Sequence, residues 1–412
     1  MTTPHILVAN VFFAPFSYGG ATVVAEEIAR DLMARGAAQV SVVSLISRSE
    51  LAPYTIVRAQ NSGIDNYLIN VPQGRPFMHH YDNPKIGQLF DTLIADLSPD
   101  VMHVHCIQEI GVDILRAANR AKVPIILSVH DFWWICERQF MVRVDQTYCG
   151  QNPVRIEACK GCVPDWDASK RRQETLLKVA GFADIITYPS QFARDLCEAS
   201  GLAPGKGVVW ENGVQLPKPD FARLQANRRA NDARLVFGFV GGPSQIKGWP
   251  IIREAFKNMG KDFGRSDFCV HVVDGSMDGS WWRDQDLSDL PGEWRIIPRF
   301  SQSDMDGFYA GIDVLLFMSQ WKETFGLAIR EALARGLDVI QTDSGGTTEH
   351  GGVAHQKLIP IGAASDVLVS QLAHAFKAHP QAAKSPIPIT SFTQQAKELE
   401  GLVARCFARE TV

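Results

Sequence analysis

The sequence predicts an α/β protein built from two doubly wound domains in series, each a parallel sheet covered by helices on both faces. Three observations predict it. Short apolar runs alternate with helix-periodic segments along the 412 residues, the pattern of buried parallel strands joined by helical crossovers. A polar, Arg-rich, Pro-containing stretch at residues 215–234 interrupts that rhythm. The polar residues suited to chemistry fall just after apolar runs, at the carboxyl ends where sheets of this kind bind ligands.

In the first half the strand candidates are residues 6–9, 40–45, 101–105, 125–129, 184–188 and 208–210, with helical patterns at 21–34 and 110–121. After the interruption come a strand at 235–240, a helix at 249–258, and strands at 269–273, 294–297 and 314–317. A helix over 325–335 and a strand at 339–341 follow. The last helical pattern, 392–407, comes after Ser385-Pro-Ile-Pro-Ile-Thr390 and is expected to return to the first domain. The expected division is therefore 1–214, 215–391 and a returning helical segment, 392–412.

Composition narrows the function. A 46% hydrophobic, 21% charged chain with formal net charge −4 is ordinary for a globular protein and carries no nucleic-acid signature. The segment Met1 to Asn10 lacks the charged start and long apolar centre of a secretory signal, and no apolar run approaches the roughly 20 residues of a membrane span. A cytoplasmic location is expected, so the eight cysteines are read as thiols or metal ligands before disulfides. Lys170-Arg171-Arg172 opens a helical pattern; it suits either a solvated face or anionic head groups at the inner face of a membrane.

Glu323 and Glu331 are the most informative pair. On a continuous helix, eight positions span about 12 Å and about 80° of rotation, a separation suited to a ligand with hydroxyls at both ends and negative charge between. The alternative is structural: an acid near a helix N-terminus and an i,i+4 ion pair between Glu331 and Arg335. Gly19-Gly20 precedes the first helix, where backbone amides approach a phosphate or merely turn. The turn Val11-Phe-Phe-Ala-Pro-Phe-Ser-Tyr-Gly-Gly20 is not the G-x-G-x-x-G of a dinucleotide fold.

His130-Asp131 follows a strand, with a ring able to hydrogen-bond a hydroxyl or to cap a turn. His103 and His105 are read as packed. Lys247, in Gly241-Gly-Pro-Ser-Gln-Ile-Lys-Gly-Trp249, offers a point charge to a diphosphate or to solvent. Gly345-Gly346, in Ser344-Gly-Gly-Thr-Thr-Glu349, presents consecutive amides after the last strand. Cys136, Cys149, Cys159 and Cys162 cluster within residues 136–162, and Cys159-x-x-Cys162 has knuckle spacing. A structural tetrathiolate zinc, a reducible disulfide pair and a catalytic thiol are the alternatives.

Taken together, the chain resembles a family 4 glycosyltransferase of the GT-B architecture, two Rossmann-like domains facing across a cleft. The residues that carry the resemblance are Pro15-x-x-x-Gly19-Gly20, His130-Asp131, Tyr188-Pro-Ser190, Glu211-Asn-Gly-Val214, Lys247-Gly248, Glu323-Thr-Phe-Gly-Leu327 with Glu331-Ala-Leu-Ala-x-Gly336, and Gly345-Gly346-x-x-Glu349. The resemblance implies a nucleotide diphosphate sugar as donor, a glycan, lipid-linked or small-molecule acceptor, retention of anomeric configuration, and no catalytic metal.

It also implies roles. Glu323 would hold sugar hydroxyls, Glu331 the ribose and Lys247 the diphosphate. Phe325 and Gly326 would lend backbone amides, with Gly345 and Gly346 beside them. His130 would touch the sugar, and Gly19 and Gly20 would lie against the donor phosphates. One position departs from the family: Gly242 stands where many members carry a second phosphate-binding cation, an arginine, which Arg299 or Lys322 would have to replace. The four-cysteine insertion resembles one in a subset of the family and favours zinc. The competing functions are a sugar-nucleotide epimerase and a non-catalytic binding protein of the same fold.

Overall fold

Two parallel sheets organise the chain. The computed structural model describes residues 3–259, 267–379 and 385–409; positions 410–412 of the expected returning segment lie outside them. By internal contacts the chain divides into one unit comprising Met1–Met141, Gly150–Gly213 and Thr390–Val412, and a second comprising Val142–Cys149 and Val214–Ile389.

Among the described residues, the first unit holds β1 (His5–Ala9), β2 (Gln39–Ile46), β3 (Ile56–Asn61), β4 (Ile64–Asn70), β5 (Val101–Val104), β6 (Ile125–Ser128), β7 (Ile185–Tyr188) and β8 (Gly207–Val209) in one sheet, ordered β3-β4-β2-β1-β5-β6-β7-β8. Neighbours pair in parallel except β3 with β4. Helices α1 (Gly20–Ala34), α2 (Pro84–Leu97), α3 (Asp113–Arg120), α4 (Trp166–Ala180) and α5 (Gln191–Ala199) connect them. Both β5 and β6 are buried along their whole length, which is why they read as mainly apolar runs; their polar members, His103 and Ser128, bond each other. Ser190 starts α5 as its N-cap, accepting a hydrogen bond from the Ala193 amide at 3.1 Å.

The hairpin β3–β4 was not among the expected strands. Its turn, Ser62 (φ 51°) and Gly63 (φ 79°), is a two-residue left-handed connection. The edge strand β3 is half exposed, so its polar residues hide the apolar signal.

The second unit holds β9 (Leu235–Val240), β10 (Phe268–Asp274), β11 (Glu293–Pro298), β12 (Val314–Phe317) and β13 (Asp338–Gln341), all parallel in the order β11-β10-β9-β12-β13. Helices α6 (Phe221–Asn231), α7 (Trp249–Met259), α8 (Met305–Ala310), α9 (Leu327–Leu333) and α10 (Ser365–Ala378) flank it. Successive side chains of each strand enter opposite cores. Leu235, Phe237 and Phe239 pack with Trp249, Phe256 and Leu368, whereas Val236, Leu315 and Phe317 pack with Tyr309, Ile329 and Leu333.

The final helix, α11 (Phe392–Arg409), belongs to the first unit. Its buried Phe392, Ala396, Leu399, Leu402, Val403 and Cys406 form one helical stripe, and burial of each large apolar chain contributes roughly 1.5–3 kcal/mol. Polar contacts set its register: the Gln395 side-chain oxygen accepts from the Gly213 amide at 2.7 Å, the Gln395 carbonyl accepts from Trp210 Nε1 at 3.2 Å, and Glu400 pairs with Arg35 at 2.7 Å.

The expected helix at 325–335 is shorter, and both of its ends have physical causes. Gly326 lies at φ 84°, a left-handed conformation that a helix cannot propagate, and the Phe325 carbonyl accepts from the Arg330 guanidinium instead of an amide. At the far end Gly336 takes φ 69°, the usual helix stop. Glu323 therefore lies before the helix, and the continuous-helix geometry expected for the glutamate pair does not hold.

Arg335 does not pair with the Glu331 carboxylate. It donates to that residue's backbone carbonyl at 3.0 Å, to the Gln215 carbonyl at 3.1 Å and, from Nε, to Asp306 at 2.8 Å, with Nη2 in ion-pair contact with the same carboxylate at 2.6 Å and the side chain fully buried. Removing one partner of a buried pair strands the other charge. Asp306→Ala is expected to lower the stability of the second unit by about 3–5 kcal/mol, read as a drop in denaturation midpoint; a drop below about 1 kcal/mol would show that the backbone carbonyls suffice.

Candidate functional site

In the second unit the chain runs from β9 outward to β10 and β11, then crosses back to place β12 on the other side of β9. The helices that follow β9 and β12, α7 and α9, pack on opposite faces of the sheet, the kind of reversal at whose carboxyl-end loops ligands bind. Lys247, on the loop after β9, and Glu323, on the loop after β12, meet there with Nζ to Oε1 at 2.8 Å. Ser319 Oγ also donates to Glu323 Oε1. The Lys247 ammonium lies over the rings of Phe317 and Trp321, 5.9 and 5.7 Å from their centroids, contacts that favour a cation on an aromatic face.

The loops are stitched by backbone bonds. Gly248 adopts φ 79°, and a Cβ there would sit 2.0 Å from the Met318 carbonyl oxygen, so only glycine lets the Lys247 loop lie against the end of β12. The Gln320 amide donates to Ile246 O at 2.8 Å. Glu323 bridges to Gly345 in parallel fashion: its amide donates to Ser344 O at 2.9 Å, and its carbonyl accepts from the Gly346 amide at 3.0 Å. Thus Glu323 and Gly345-Gly346, well separated in the chain, share one β-bridge.

Arg330, fully buried, completes the frame. Its guanidinium lies 3.6 Å from the Phe325 ring centroid and donates to Phe325 O and, at 3.0 Å, to Gly346 O. Glu331, one residue on, is buried, and its Oε2 accepts from the Tyr309 hydroxyl at 2.5 Å. Burial pushes the Glu331 carboxyl above its ordinary range, against the lowering effect of Tyr309 and Arg335; burial likewise drives the Tyr309 hydroxyl well up.

In the first unit the same topological reversal lies between β1 and β5. Gly19 takes φ 84° and ψ 160° as the residue before α1, with open space where a Cβ would be; Gly20 is the first residue of α1. His130 follows β6, and its Nε2 shares a 2.8 Å hydrogen bond with His105 Nδ1, the two rings stacked. His103 shares 2.8 Å with Ser128 Oγ. Burial lowers His130 to about 4 and His103 to about 3, the latter also depressed by His130, and pushes His105 well down. These rings are neutral near pH 7. Asp131 is not a second ligand-facing group: it accepts from the Trp133 amide at 2.8 Å, Gln108 at 2.9 Å and Gln139 at 2.7 Å, and so holds the turn that carries His130.

The family model described as Glycosyltransferase Family 4 matches residues 18–217, and the one described as Glycosyl transferases group 1 matches residues 234–377. The chain belongs to glycosyltransferase family 4.

It is 24% identical over 362 residues to an uncharacterized 42.6 kDa protein in the cps region of Klebsiella pneumoniae, covering 84% of this chain and 87% of that one. Among solved structures it resembles Anabaena Alr3699/HepE in complex with UDP and glucose, with a TM-score of 0.60 and 17% identity over 98% of each chain. Sucrose-phosphate synthase of Thermosynechococcus elongatus gives a TM-score of 0.67 and 16% identity, over 98% of this chain and 100% of that one. The UDP-forming trehalose-phosphate synthase of Burkholderia xenovorans gives 0.65 and 12%, over 97% and 100%. These likenesses show the GT-B fold.

Within this family 4 chain, the structure brings Lys247, Glu323, Gly345 and Gly346 together where the loops after β9, β12 and β13 meet, with Phe325 and Gly326 in the loop between the two glutamates. Arg330 and Tyr309 are the residues the sequence did not single out. Arg330 stood inside the quoted helix, but what it holds is set by loops distant in the chain.

The structure also places other residues that the sequence singled out. Among the described residues no group of three or more His, Cys, Asp or Glu side chains is arranged to hold a metal ion; Cys136, Cys149, Cys159 and Cys162 are each half-buried. Arg172 is buried, donates to Trp133 O at 2.7 Å, and is pushed down to about 10 by burial; it contributes nothing to a basic surface. Lys322 turns to Asp343, 2.6 Å from its carbonyl and 3.2 Å from its carboxylate. Arg299 donates to Met277 Sδ at 2.6 Å. Above Gly242 lies the Trp281 ring, within 3.1 Å of where a Cβ would be. No described helix is long and apolar enough to cross a membrane.

The histidines give a pH prediction. Unfolded histidines titrate near pH 6.5, whereas His103 and His130 stay neutral in the folded chain down to about 3 and about 4. Below pH 6.5 the unfolded chain binds protons that the folded one does not, so stability is full above that value and falls as pH drops toward 4. His103→Gln is expected to flatten the fall by up to about 1.4 kcal/mol per pH unit; identical slopes in denaturation series from pH 7 to pH 4 would place the titrating groups elsewhere.

Proposed function

We propose that this chain transfers a sugar from a nucleotide diphosphate sugar to a glycan, lipid-linked or small-molecule acceptor, with retention of configuration, in the assembly of a polysaccharide or glycoconjugate. The observation that carries the proposal is the Lys247–Glu323 pair at the crossover of β9 and β12, backed by the Gly345-Gly346 turn. A cation and a carboxylate held 2.8 Å apart suit the junction of a diphosphate with a hydroxylated ring: Lys247 takes the phosphate oxygens and Glu323 accepts from sugar hydroxyls. HepE solved with UDP and glucose, and the UDP-forming synthase, lend support to a nucleotide-linked donor.

The remaining roles follow from the same reading. Glu331, whose Oε2 is occupied by Tyr309, offers Oε1 to ribose hydroxyls. The amides of Phe325 and Gly326, framed by Arg330, and the Gly345-Gly346 turn, whose Gly346 amide is held by the Glu323 carbonyl, bracket the sugar and phosphate. His130, neutral, contacts a sugar hydroxyl, and Gly19 with Gly20 lies against the phosphates. As the bond to the anomeric carbon breaks, negative charge grows on the leaving diphosphate, where Lys247 stabilises it. The acceptor attacks from the same face and passes its proton to a leaving phosphate oxygen. An acceptor-independent epimerase is the competing chemistry, and incubation with donor alone separates the two.

Glu323→Ala is expected to reduce turnover at least about 100-fold, a loss of roughly 3 kcal/mol of transition-state stabilisation. A folded variant with near-normal rates would remove Glu323 from the reaction. Lys247→Ala is expected to weaken nucleoside diphosphate binding about tenfold or more in calorimetry, with unchanged affinity refuting the phosphate role.

A further inference from the structure

We propose that Glu323 discriminates the sugar-bearing donor from the sugar-free nucleoside diphosphate by competing with the diphosphate for Lys247, an assignment that rests on reading the β9–β12 crossover as the donor site. The structure commits that lysine to a carboxylate. Nζ lies 2.8 Å from Glu323 Oε1, and the same oxygen accepts from the Ser319 hydroxyl. Other cations of the neighbourhood are engaged elsewhere: Lys322 donates to the Asp343 carbonyl at 2.6 Å, and Arg330 holds the Phe325 and Gly346 carbonyls. Position 242, on the same loop as Lys247, is a glycine lying against the Trp281 ring, with no side chain to carry charge.

The two partners differ in freedom. The Glu323 side chain is 13% exposed and that of Lys247 34%. Glu323 is pinned through its backbone, with its amide on Ser344 O at 2.9 Å and its carbonyl on the Gly346 amide at 3.0 Å. Ser319, itself buried, is fixed by Thr342 Oγ1, which donates to its carbonyl at 2.7 Å. Lys247 instead ends a flexible stem, and its ammonium keeps further protons for other oxygens. The carboxylate is therefore a fixed negative charge, and the ammonium is the group able to turn.

Two ligands then meet two different sites. A nucleoside diphosphate reaching Lys247 finds its charge already balanced and a carboxylate facing the phosphates, and like charges close together in a partly buried setting repel with little screening. A nucleotide sugar brings hydroxyls beyond that diphosphate. Those hydroxyls donate to Glu323, as Ser319 does, and stabilise its charge while the ammonium serves the phosphates. Glu323 thus favours the donor and opposes the product left once the sugar has gone, a discrimination that rests on a repulsive element as much as on an attractive one. Its consequence is easier release of the nucleotide from a site that needs the same lysine in every turnover.

The test is calorimetry on the full chain with inorganic pyrophosphate, with uridine, guanosine and adenosine diphosphates, and with the glucose esters of those nucleotides. Glu323→Gln keeps the shape of the side chain and removes its charge. It is expected to bind pyrophosphate and the tightest-binding nucleoside diphosphate about three- to fivefold more tightly, the effect of one partly exposed charge, while the matching nucleotide sugar weakens or gains less than about twofold. Ser319→Ala leaves the carboxylate more dependent on Lys247 and should act in the opposite sense, weakening the nucleoside diphosphate about two- to threefold. Unchanged or weaker diphosphate binding in Glu323→Gln, an equal gain for diphosphate and nucleotide sugar, or tighter diphosphate binding in Ser319→Ala would overturn the proposal. If Lys247→Ala weakens pyrophosphate and nucleotide in the same series, the donor reading stands whatever Glu323 does; if it weakens neither, or the wild type binds no probe, the donor reading fails and the discrimination with it.

Discussion

The reversal of strand order between β9 and β12 is the constraint on which the second unit's chemistry depends. Parallel strands need crossovers, and crossovers of one hand place successive strands in one direction until the chain returns to its starting strand. Here the return sets the loops after β9 and β12 side by side. Neither loop alone makes a site. One brings a lysine on a glycine-permitted bend, the other a glutamate fixed by its bridge to Gly345, and their meeting at 2.8 Å is a consequence of topology.

Buried charge then makes the arrangement rigid. Arg330 ties the Phe325 and Gly346 carbonyls, and Arg335 ties Gln215, Glu331 and Asp306. Burying a guanidinium is costly unless its donors are satisfied, so each arginine tolerates few alternative loop positions. Arg330 lies within α9 and Arg335 just beyond its end, and the helix's own seven residues give little intrinsic stability. The loop carrying Glu323 is held by these side chains more than by the helix after it.

The fold could be read from the sequence to the extent that strands are buried on both faces. Residues 125–129 and 314–317 announce themselves because they are almost wholly apolar, with Ser128 the one polar residue among them, whereas β3 escaped because it is an edge strand with alternate residues in solvent. Lys247, Glu323 and Gly345-Gly346 could be picked out because they follow strands. Their geometry could not: the helix pattern beginning at Phe325 is locally sound, and only the tertiary bond from Arg330 and the left-handed Gly326 displace its start to Leu327. Arg172 misled for a related reason. A run of three basic residues reads as a surface, yet the third turns inward to Trp133.

The two units also differ in the electrostatics they supply. Around His130 every ring is neutral by burial, so that site offers hydrogen bonds without net charge and keeps doing so across the physiological range. At the β9–β12 crossover the groups are a lysine and a carboxylate on a polar frame, able to respond to charge as it develops. Bond cleavage at an anomeric carbon needs both kinds of environment: fixed charge where the leaving group becomes anionic, and neutral hydrogen-bonding partners for hydroxyls whose charge does not change. Under the proposed function, desolvation of the histidines is therefore as much a part of the catalytic design as the charge on Lys247.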